Sequence, residues 1–216
     1  NPNLLAEYAY NCELGLQYEI VKHASLGATL YQTWLTNALT VQQGTFNGSD
    51  SVFYDGQLSA VLTSTNASKA KVQGIEAYLN AQLTPKWNVY SSFNYTYGRI
   101  IKNNGTTPLD HIAPAFGKVS VKYSPNYKLR LEGFVMYSGW KHLEDYNFAG
   151  EDNFSYATPE GMPSWYTLNL RANYNLNKNF SVQWACENLL NQNYRMFASN
   201  ISAPGRNFIL TFRGNF

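Results

Sequence analysis

The sequence predicts an all-β fold, an antiparallel transmembrane β-barrel wall of about nine strands. Three observations carry that prediction: apolar and polar residues alternate with a period of two along most of the chain, the alternating segments are long, and short turns alternate with long polar loops. In chain order, Cys12, Leu14, Leu16, Tyr18 and Ile20 oppose Glu13, Gln17 and Glu19, and a less regular strand follows from about 25 to 41. Ile75, Ala77, Leu79 and Leu83 then alternate with Glu76, Asn80 and Gln82, and Trp87, Val89, Phe93, Tyr95 and Tyr97 with Asn88, Ser92, Asn94 and Thr96. Segments 117 to 124 and 128 to 140 place Val119, Val121, Tyr123, Leu129, Leu131, Val135 and Tyr137 against Lys118, Ser120, Lys122, Arg130, Glu132 and Ser138. The cleanest strand follows, with Tyr166, Leu168, Leu170, Ala172, Tyr174 and Leu176 opposed to Thr167, Asn169, Arg171, Asn173 and Asn175. Phe180, Val182, Trp184 and Cys186 continue the rule, and Phe208, Leu210, Phe212 and Phe216 close it.

The connections come in two sizes. Val21 to Ala24, Pro85-Lys86, Pro125-Asn126 and Asn177-Lys178 suit tight turns between antiparallel strands. Segments 42–68, 100–113, 143–163 and 191–205 are longer and rich in Gly, Asn, Ser, Asp and Pro. Turns at one end and loops at the other are the layout of outer-membrane barrels, which puts Phe216 at the periplasmic end and makes the first strand descend from outside.

Composition removes other classes. Charged residues make up 14% of the chain with a net charge of +2, so there is no basic footprint for nucleic acid. Aromatic residues make up 16%, which a disordered chain would not carry. No apolar stretch approaches the ~18 residues a membrane helix needs. Polarity is supplied by 25 Asn with Ser, Thr and Gln interleaved among the aromatics. A soluble β-sandwich is the alternative, since one apolar face also covers a core. Against it stand the strand lengths, which match the ~9–11 residues of an oblique bilayer crossing, and polar faces poor in the Lys and Glu that protect water-exposed sheets. Trp87, Tyr97, Trp140, Trp165 and Tyr166, near strand ends, fit two membrane interfaces. The chain reads as one unit. It starts at Asn1, as expected of a processed or excerpted chain, and Cys12 and Cys186 read as small hydrophobes outside any ligand pattern.

The last thirty residues carry the most specific pattern: Glu187-Asn188-Leu189-Leu190-Asn191-Gln192-Asn193-Tyr194-Arg195, then Ala203-Pro204-Gly205-Arg206-Asn207-Phe208 and a terminal Phe216. Together with Gly74-Ile75-Glu76, Ile112-Ala113-Pro114 with Gly117, and Asn1-Pro2 with Glu7 and Glu13-Leu14-Gly15, this order resembles the TonB-dependent outer-membrane receptors. The resemblance implies about nine C-terminal strands of a larger barrel of the 22-stranded, plug-filled type. It implies that residues 1–216 are the C-terminal part of that barrel, with the plug domain and earlier strands absent from this chain. The implied activity is TonB-coupled import of a scarce nutrient of the ferric siderophore, haem or cobalamin type, in the outer membrane of a Gram-negative bacterium. Its implied partners are outer-membrane lipid, TonB through the missing plug region, the barrel assembly machinery, which would read Phe208, Leu210, Phe212 and Phe216, and a small nutrient ligand.

Catalysis is not expected. His142, Glu144 and Asp145 could be assembled into an acid–base cluster, but no nucleophile turn or paired motif accompanies them. His23, His111 and His142 are too scattered for a metal site, and no cofactor is expected. The loop candidates for ligand contact are His111, His142, Tyr146 and Arg206, the last reading more naturally as a loop–strand corner. Among the inward-facing charges Glu13, Glu19, Glu76, Lys118, Lys122, Arg130, Glu132, Arg171, Glu187 and Arg213, pairing along the wall is the simplest role, with plug contact the other. A small outer-membrane barrel acting as an enzyme or adhesin is a further alternative.

Overall fold

The computed structural model describes residues 1–66, 69–102, 104–148 and 154–215; Phe216 lies outside the described residues. In chain order the strands are β1 (Tyr8–Val21), β2 (Ala24–Thr36), β3 (Leu39–Gln43), β4 (Ser51–Tyr54), β5 (Gln57–Ala60), β6 (Leu62–Asn66), β7 (Lys69–Thr84), β8 (Trp87–Lys102) and β9 (Gly105–Pro108). They continue as β10 (Phe116–Tyr123), β11 (Leu129–Ser138), β12 (Lys141–His142), β13 (Gly161–Met162), β14 (Trp165–Asn175), β15 (Phe180–Glu187) and β16 (Asn207–Gly214). Nine of them form one continuous antiparallel path, β1-β2-β7-β8-β10-β11-β14-β15-β16, with β9 added to β8. Among the described residues the other pairings are only two-stranded ribbons, so no second sheet covers either face and the sandwich arrangement is not adopted.

Register turns the alternation of each strand into two continuous surfaces. Across the sheet, Leu16 aligns with Ala28, Ala77, Phe93, Gly117, Tyr137 and Tyr166, all of one face. That face is apolar and open: Leu14 is 71% exposed, Leu210 70% and Phe212 69%. The buried side chains include Glu132, Ser138, Thr167, Asn169 and Asn188 on or beside the polar face. A chain that exposes leucine and phenylalanine while burying asparagine and glutamate is ordered for hydrocarbon on the outside, since water-facing apolar patches of this extent do not persist on soluble monomers. Cys186 is buried and Cys12 exposed, both on apolar-face positions.

Close packing on the sheet depends on glycines facing tyrosines. Gly74 sits directly opposite Tyr31, and a Cβ there would collide with the Tyr31 ring and with the Tyr95 carbonyl. The Tyr31 hydroxyl in turn shares a hydrogen bond of 2.6 Å with Thr96 Oγ1. Gly27 opposite Tyr78 and Gly117 opposite Tyr137 repeat the arrangement. A ring laid over a strand glycine covers backbone that would otherwise lack side-chain packing. The glycines of Gly74-Ile75-Glu76 and of the Pro114…Gly117 segment thereby acquire a steric reason.

The irregular strand expected at 25 to 41 divides. Asn37 adopts a left-handed φ of 54°, β2 ends at Thr36, and β3 leaves the wall as a ribbon with β6. Side chains brace the stem of that ribbon: Asn66 Nδ2 donates to the carbonyls of Asn37 (2.6 Å) and Leu5 (3.0 Å), and Leu39 N donates to Glu7 Oε2 (2.8 Å). The loop expected at 42–68 thus contains a β-ribbon extended by β4 and β5, and β9 lies within the loop expected at 100–113.

A second brace closes the last loop. Asn188, just past β15, has a φ of 50°, a conformation asparagine tolerates better than most residues. Its amide nitrogen donates to the carbonyls of Gln192 (2.8 Å) and Pro204 (3.2 Å), its Oδ1 accepts from Gln192 N (2.8 Å), and its own N–H donates to Asn169 Oδ1 (2.9 Å). Opposite it, Arg206 N donates to Asn191 Oδ1 and Arg206 Nε to the Leu189 carbonyl, both at 2.9 Å. A Cβ on Gly205 would lie 2.6 Å from Asn191 Oδ1, so a side chain there would have to displace the acceptor of the Arg206 N–H. The Glu187-Asn188-Leu189 and Pro204-Gly205-Arg206 segments are two halves of one clasp.

Gly74→Ala is expected to lower stability by about 1–3 kcal/mol through overpacking, read as a shifted urea midpoint in detergent micelles. Combined with Tyr31→Ala the two costs should be strongly non-additive; strict additivity would show that the ring is not what the new methyl group meets. Asn188→Gly keeps the backbone conformation and removes three side-chain bonds, so it should cost about 1–3 kcal/mol. Asn188→Ala should cost more, because it adds left-handed strain. Equal stability of the two variants in the same assay would contradict that ordering.

Candidate functional site

The polar face carries a row of paired charges that crosses β10, β11, β14 and β15. Lys118 Nζ lies 3.0 Å from Glu132 Oε1, Arg171 Nη1 3.5 Å from Glu132 Oε2, and Arg171 Nη2 3.9 Å from Glu187 Oε1. The sign alternates along the row, so each charge is flanked by its opposite, and Glu132 is buried between two cations. Phe134 lies among these charges on the same face; its ring lies beneath both Lys118 Nζ (4.3 Å) and the Arg171 guanidinium (5.2 Å). Such contacts suit a partly desolvated cation. Lys118, Phe134, Arg171 and Glu187, together with Asn169 and Tyr194, line a cavity of about 220 Å³.

Above that row the loops add an aromatic and cationic layer. Lys141, at the start of the connection after β11, is buried; its ammonium donates to the Ile112 carbonyl at 2.6 Å and lies over the rings of Tyr146 (5.0 Å) and Phe197 (4.5 Å). The Arg195 guanidinium lies 5.0 Å from the Tyr156 ring centre, and Trp165 packs on Tyr194 at 4.3 Å. Burial first, and then the Glu187 carboxylate, push the Tyr194 phenol above its ordinary value, so it remains a neutral hydrogen-bonding group across physiological pH. Three loops therefore meet here: Ile112 from one, Lys141, Tyr146 and Tyr156 from the second, and Tyr194, Arg195 and Phe197 from the last.

The four loop residues singled out by sequence fall in different settings. His111, with a left-handed φ of 61°, is largely exposed, with its Nδ1 3.8 Å from Asp110 Oδ2. His142 stacks on Trp140 at 5.7 Å. Tyr146 is buried against Lys141, and Arg206 is engaged by the clasp of the last loop. They do not converge on one point. His142, Glu144 and Asp145 do not assemble either: the Asp145 carboxylate is committed to Arg99 at 3.1 Å. Phe208, Leu210 and Phe212 share the open apolar face of β16, and Phe216 lies outside the described residues. Lys141 escapes sequence reasoning, because it falls after the alternation of β11 has ended. Its one signal is a cation set between Trp140 and His142.

Comparison with known proteins gives this surface a family. A family described as TonB dependent receptor-like, beta-barrel, matches residues 1–189. The probable TonB-dependent receptor BfrD of Bordetella pertussis is 26% identical over 154 residues, which cover 68% of this chain and 21% of that protein. The probable TonB-dependent siderophore receptor PiuA of Acinetobacter baumannii is 23% identical over 94% of this chain and 26% of its own length. The chain thus spans about a fifth to a quarter of the curated relatives it matches. Among solved structures, the copper transporter OprC superposes with a TM-score of 0.79 at 17% identity, and a ferric enterobactin receptor (PfeA) of Pseudomonas aeruginosa with 0.71 at 20%. Each covers all of this chain, and in each case the chain covers 32% of the solved structure. These likenesses show the fold. The family match stops at residue 189, so it rests on the wall and loops before the closing strand, independently of most of the C-terminal pattern. With the barrel description matched over residues 1–189, this chain belongs to the TonB-dependent receptor family, as a fragment of its β-barrel.

Proposed function

We propose that the chain is the C-terminal wall segment of an outer-membrane active-transport receptor that imports a scarce nutrient, with a ferric siderophore as its cargo. The plug domain and the earlier strands belong to the rest of that receptor, a reading supported by the share of its relatives that the chain spans. The observation that carries the proposal is the shared cavity of wall and loop: Lys118, Arg171 and Glu187 of the charged row line it together with Tyr194, whose loop brings Arg195 against Tyr156 and Phe197 against Lys141. Cations held against aromatic rings suit an anionic chelate with flat ligand groups. A siderophore receptor among the relatives supports the same cargo class.

In this reading the loops capture ligand together with the outer surface of the plug, and the charged row borders the path below. TonB, energised from the inner membrane, pulls on the plug and opens that path. Arg195 and the exposed His111 and His142 are the ligand-contacting candidates, while Tyr146 and Arg206 hold the loop framework. Phe208, Leu210, Phe212 and the terminal Phe216 present the strand read by the barrel assembly machinery. No catalytic step and no resident cofactor enter the cycle.

The test is uptake of radiolabelled ferric siderophores by cells lacking the chromosomal receptor and complemented with the full-length gene. Uptake of at least one ferric siderophore should return with the gene and vanish when TonB is removed; uptake indifferent to TonB would overturn the energy coupling. In the purified full-length receptor, Arg195→Gln should weaken binding of that siderophore about tenfold, the size expected for one charge-assisted contact. Unchanged affinity would remove Arg195 from the ligand site.

A further inference from the structure

The rule that cations face the polar side fails at one place. Lys69, Lys71 and Arg99 occupy odd positions of β7 and β8, and register puts them on the apolar, outward face. Lys71 is the direct cross-strand partner of Arg99, in a row running Tyr10, Trp34, Lys71, Arg99; Lys69 stands in the next row. Directly opposed like charges on one face destabilise a sheet unless an anion joins them. Asp145 meets Arg99 alone, and among the described residues no ion pair reaches Lys69 or Lys71.

The level of these residues is fixed by their neighbours. On β8 the outward face runs from Trp87 to Tyr97 before Arg99, about ten residues that match an oblique bilayer crossing. Above Tyr97 the sidedness inverts: Ala38, Ala70 and Ile100, with Leu35 and Leu109, form a small apolar core on the inner side, while the cations point outward. Such an inversion is expected where the outer neighbour changes from hydrocarbon to charged headgroups. Arg99 is also preset, with Nε donating to Tyr97 Oη at 2.9 Å and the guanidinium 4.4 Å over the same ring. It borders a notch of about 270 Å³ shared with Trp140, His142 and Asp145.

We propose that Lys69, Lys71 and Arg99 form an outward-facing site for the phosphate of an anionic membrane-lipid headgroup. Placement on the outside of the wall excludes the transported ligand, which passes within it, and continuity with the aromatic positions below favours a lipid over a free anion. The proposal rests on the membrane-spanning reading of the chain.

The experiment is native mass spectrometry of the full-length receptor released from micelles doped with phosphatidylglycerol or with phosphatidylcholine. Wild-type protein should retain phosphatidylglycerol preferentially, and Lys71→Gln should lower that retention about fivefold, the effect of about one surface cation on anionic lipid. Lys69→Gln combined with Lys71→Gln should abolish the preference, whereas Lys86→Gln, in a turn at the opposite end, should leave it intact. Retention unchanged in the double variant overturns the proposal, and so does inorganic phosphate competing as well as the lipid at equal concentration. Insertion into vesicles, read separately by protease protection, tests the membrane reading: a receptor that inserts but shows no lipid preference sinks only the phosphate site.

Discussion

Everything in this chain follows from the need to satisfy backbone hydrogen bonds where no water is available. Inside hydrocarbon each unpaired N–H or C=O costs several kcal/mol, which leaves helices and closed sheets as the spanning structures. The nine wall strands meet that need by pairing each interior strand on both edges, from β1 through β16, with register shifts only at the lower ends of β1 and β7. Once the ladder is fixed, side chains have only two directions available. The chemistry therefore divides into an outward surface of Leu, Phe, Tyr and Trp and an inward one of Asn, Thr, Ser and paired charges. Tyrosines laid over Gly27, Gly74 and Gly117 let the ladder run without gaps in its cover.

The two-residue period makes most of this architecture legible in the amino-acid sequence itself. The alternation from Phe180 to Glu187 coincides with β15 at both ends, and the eleven-residue alternation beginning at Tyr166 differs from β14 by one residue at each end. What the period does not reveal lies outside the membrane, where neither face has a fixed solvent. There β7 begins at Lys69, several positions before its alternation becomes regular at Ile75, and β2 and β3 are separated by the left-handed Asn37. That break depends on Asn66, far along the chain, holding the Asn37 carbonyl. A contact so distant leaves no local signature. The loop layer is hidden for the same reason: Lys141 meets Phe197, and Tyr156 meets Arg195, only after the strands and long connections between them have folded.

The segments that suggest the family are mechanical parts. Asn188 is required because its position combines a left-handed backbone with bonds to both limbs of the last loop, and Gly205 because Asn191 occupies the space of its side chain. Gly74 is fixed by the ring of Tyr31. Their roles are explained by the wall and its clasp without any ligand. A pattern of this kind identifies how a wall is built and its loops are held, and it is silent on cargo. The alternation and the motifs accordingly specify the fold in detail while the loop candidates scatter: two exposed histidines, one buried tyrosine and one clasp arginine.

Sidedness also locates the membrane. In β7 and β8, sixteen residues each, the outward face is apolar up to Ile75 and Tyr95, mixed at Gln73 and Tyr97, and cationic at Lys71 and Arg99. Over the same steps the inner face passes from Glu76 and Asn94 to Ala70 and Ile100. A single sheet that exchanges its polar and apolar sides within a few residues must pass between two solvents there, because no change in packing partner explains both halves of the exchange. β16, with eight residues, shows no such reversal: Phe208 and Phe212 are both exposed on the apolar face. The difference in strand length is thus a difference in protrusion, and the long pair β7–β8 carries the wall past the bilayer to support the ribbon and the loops that face the outside.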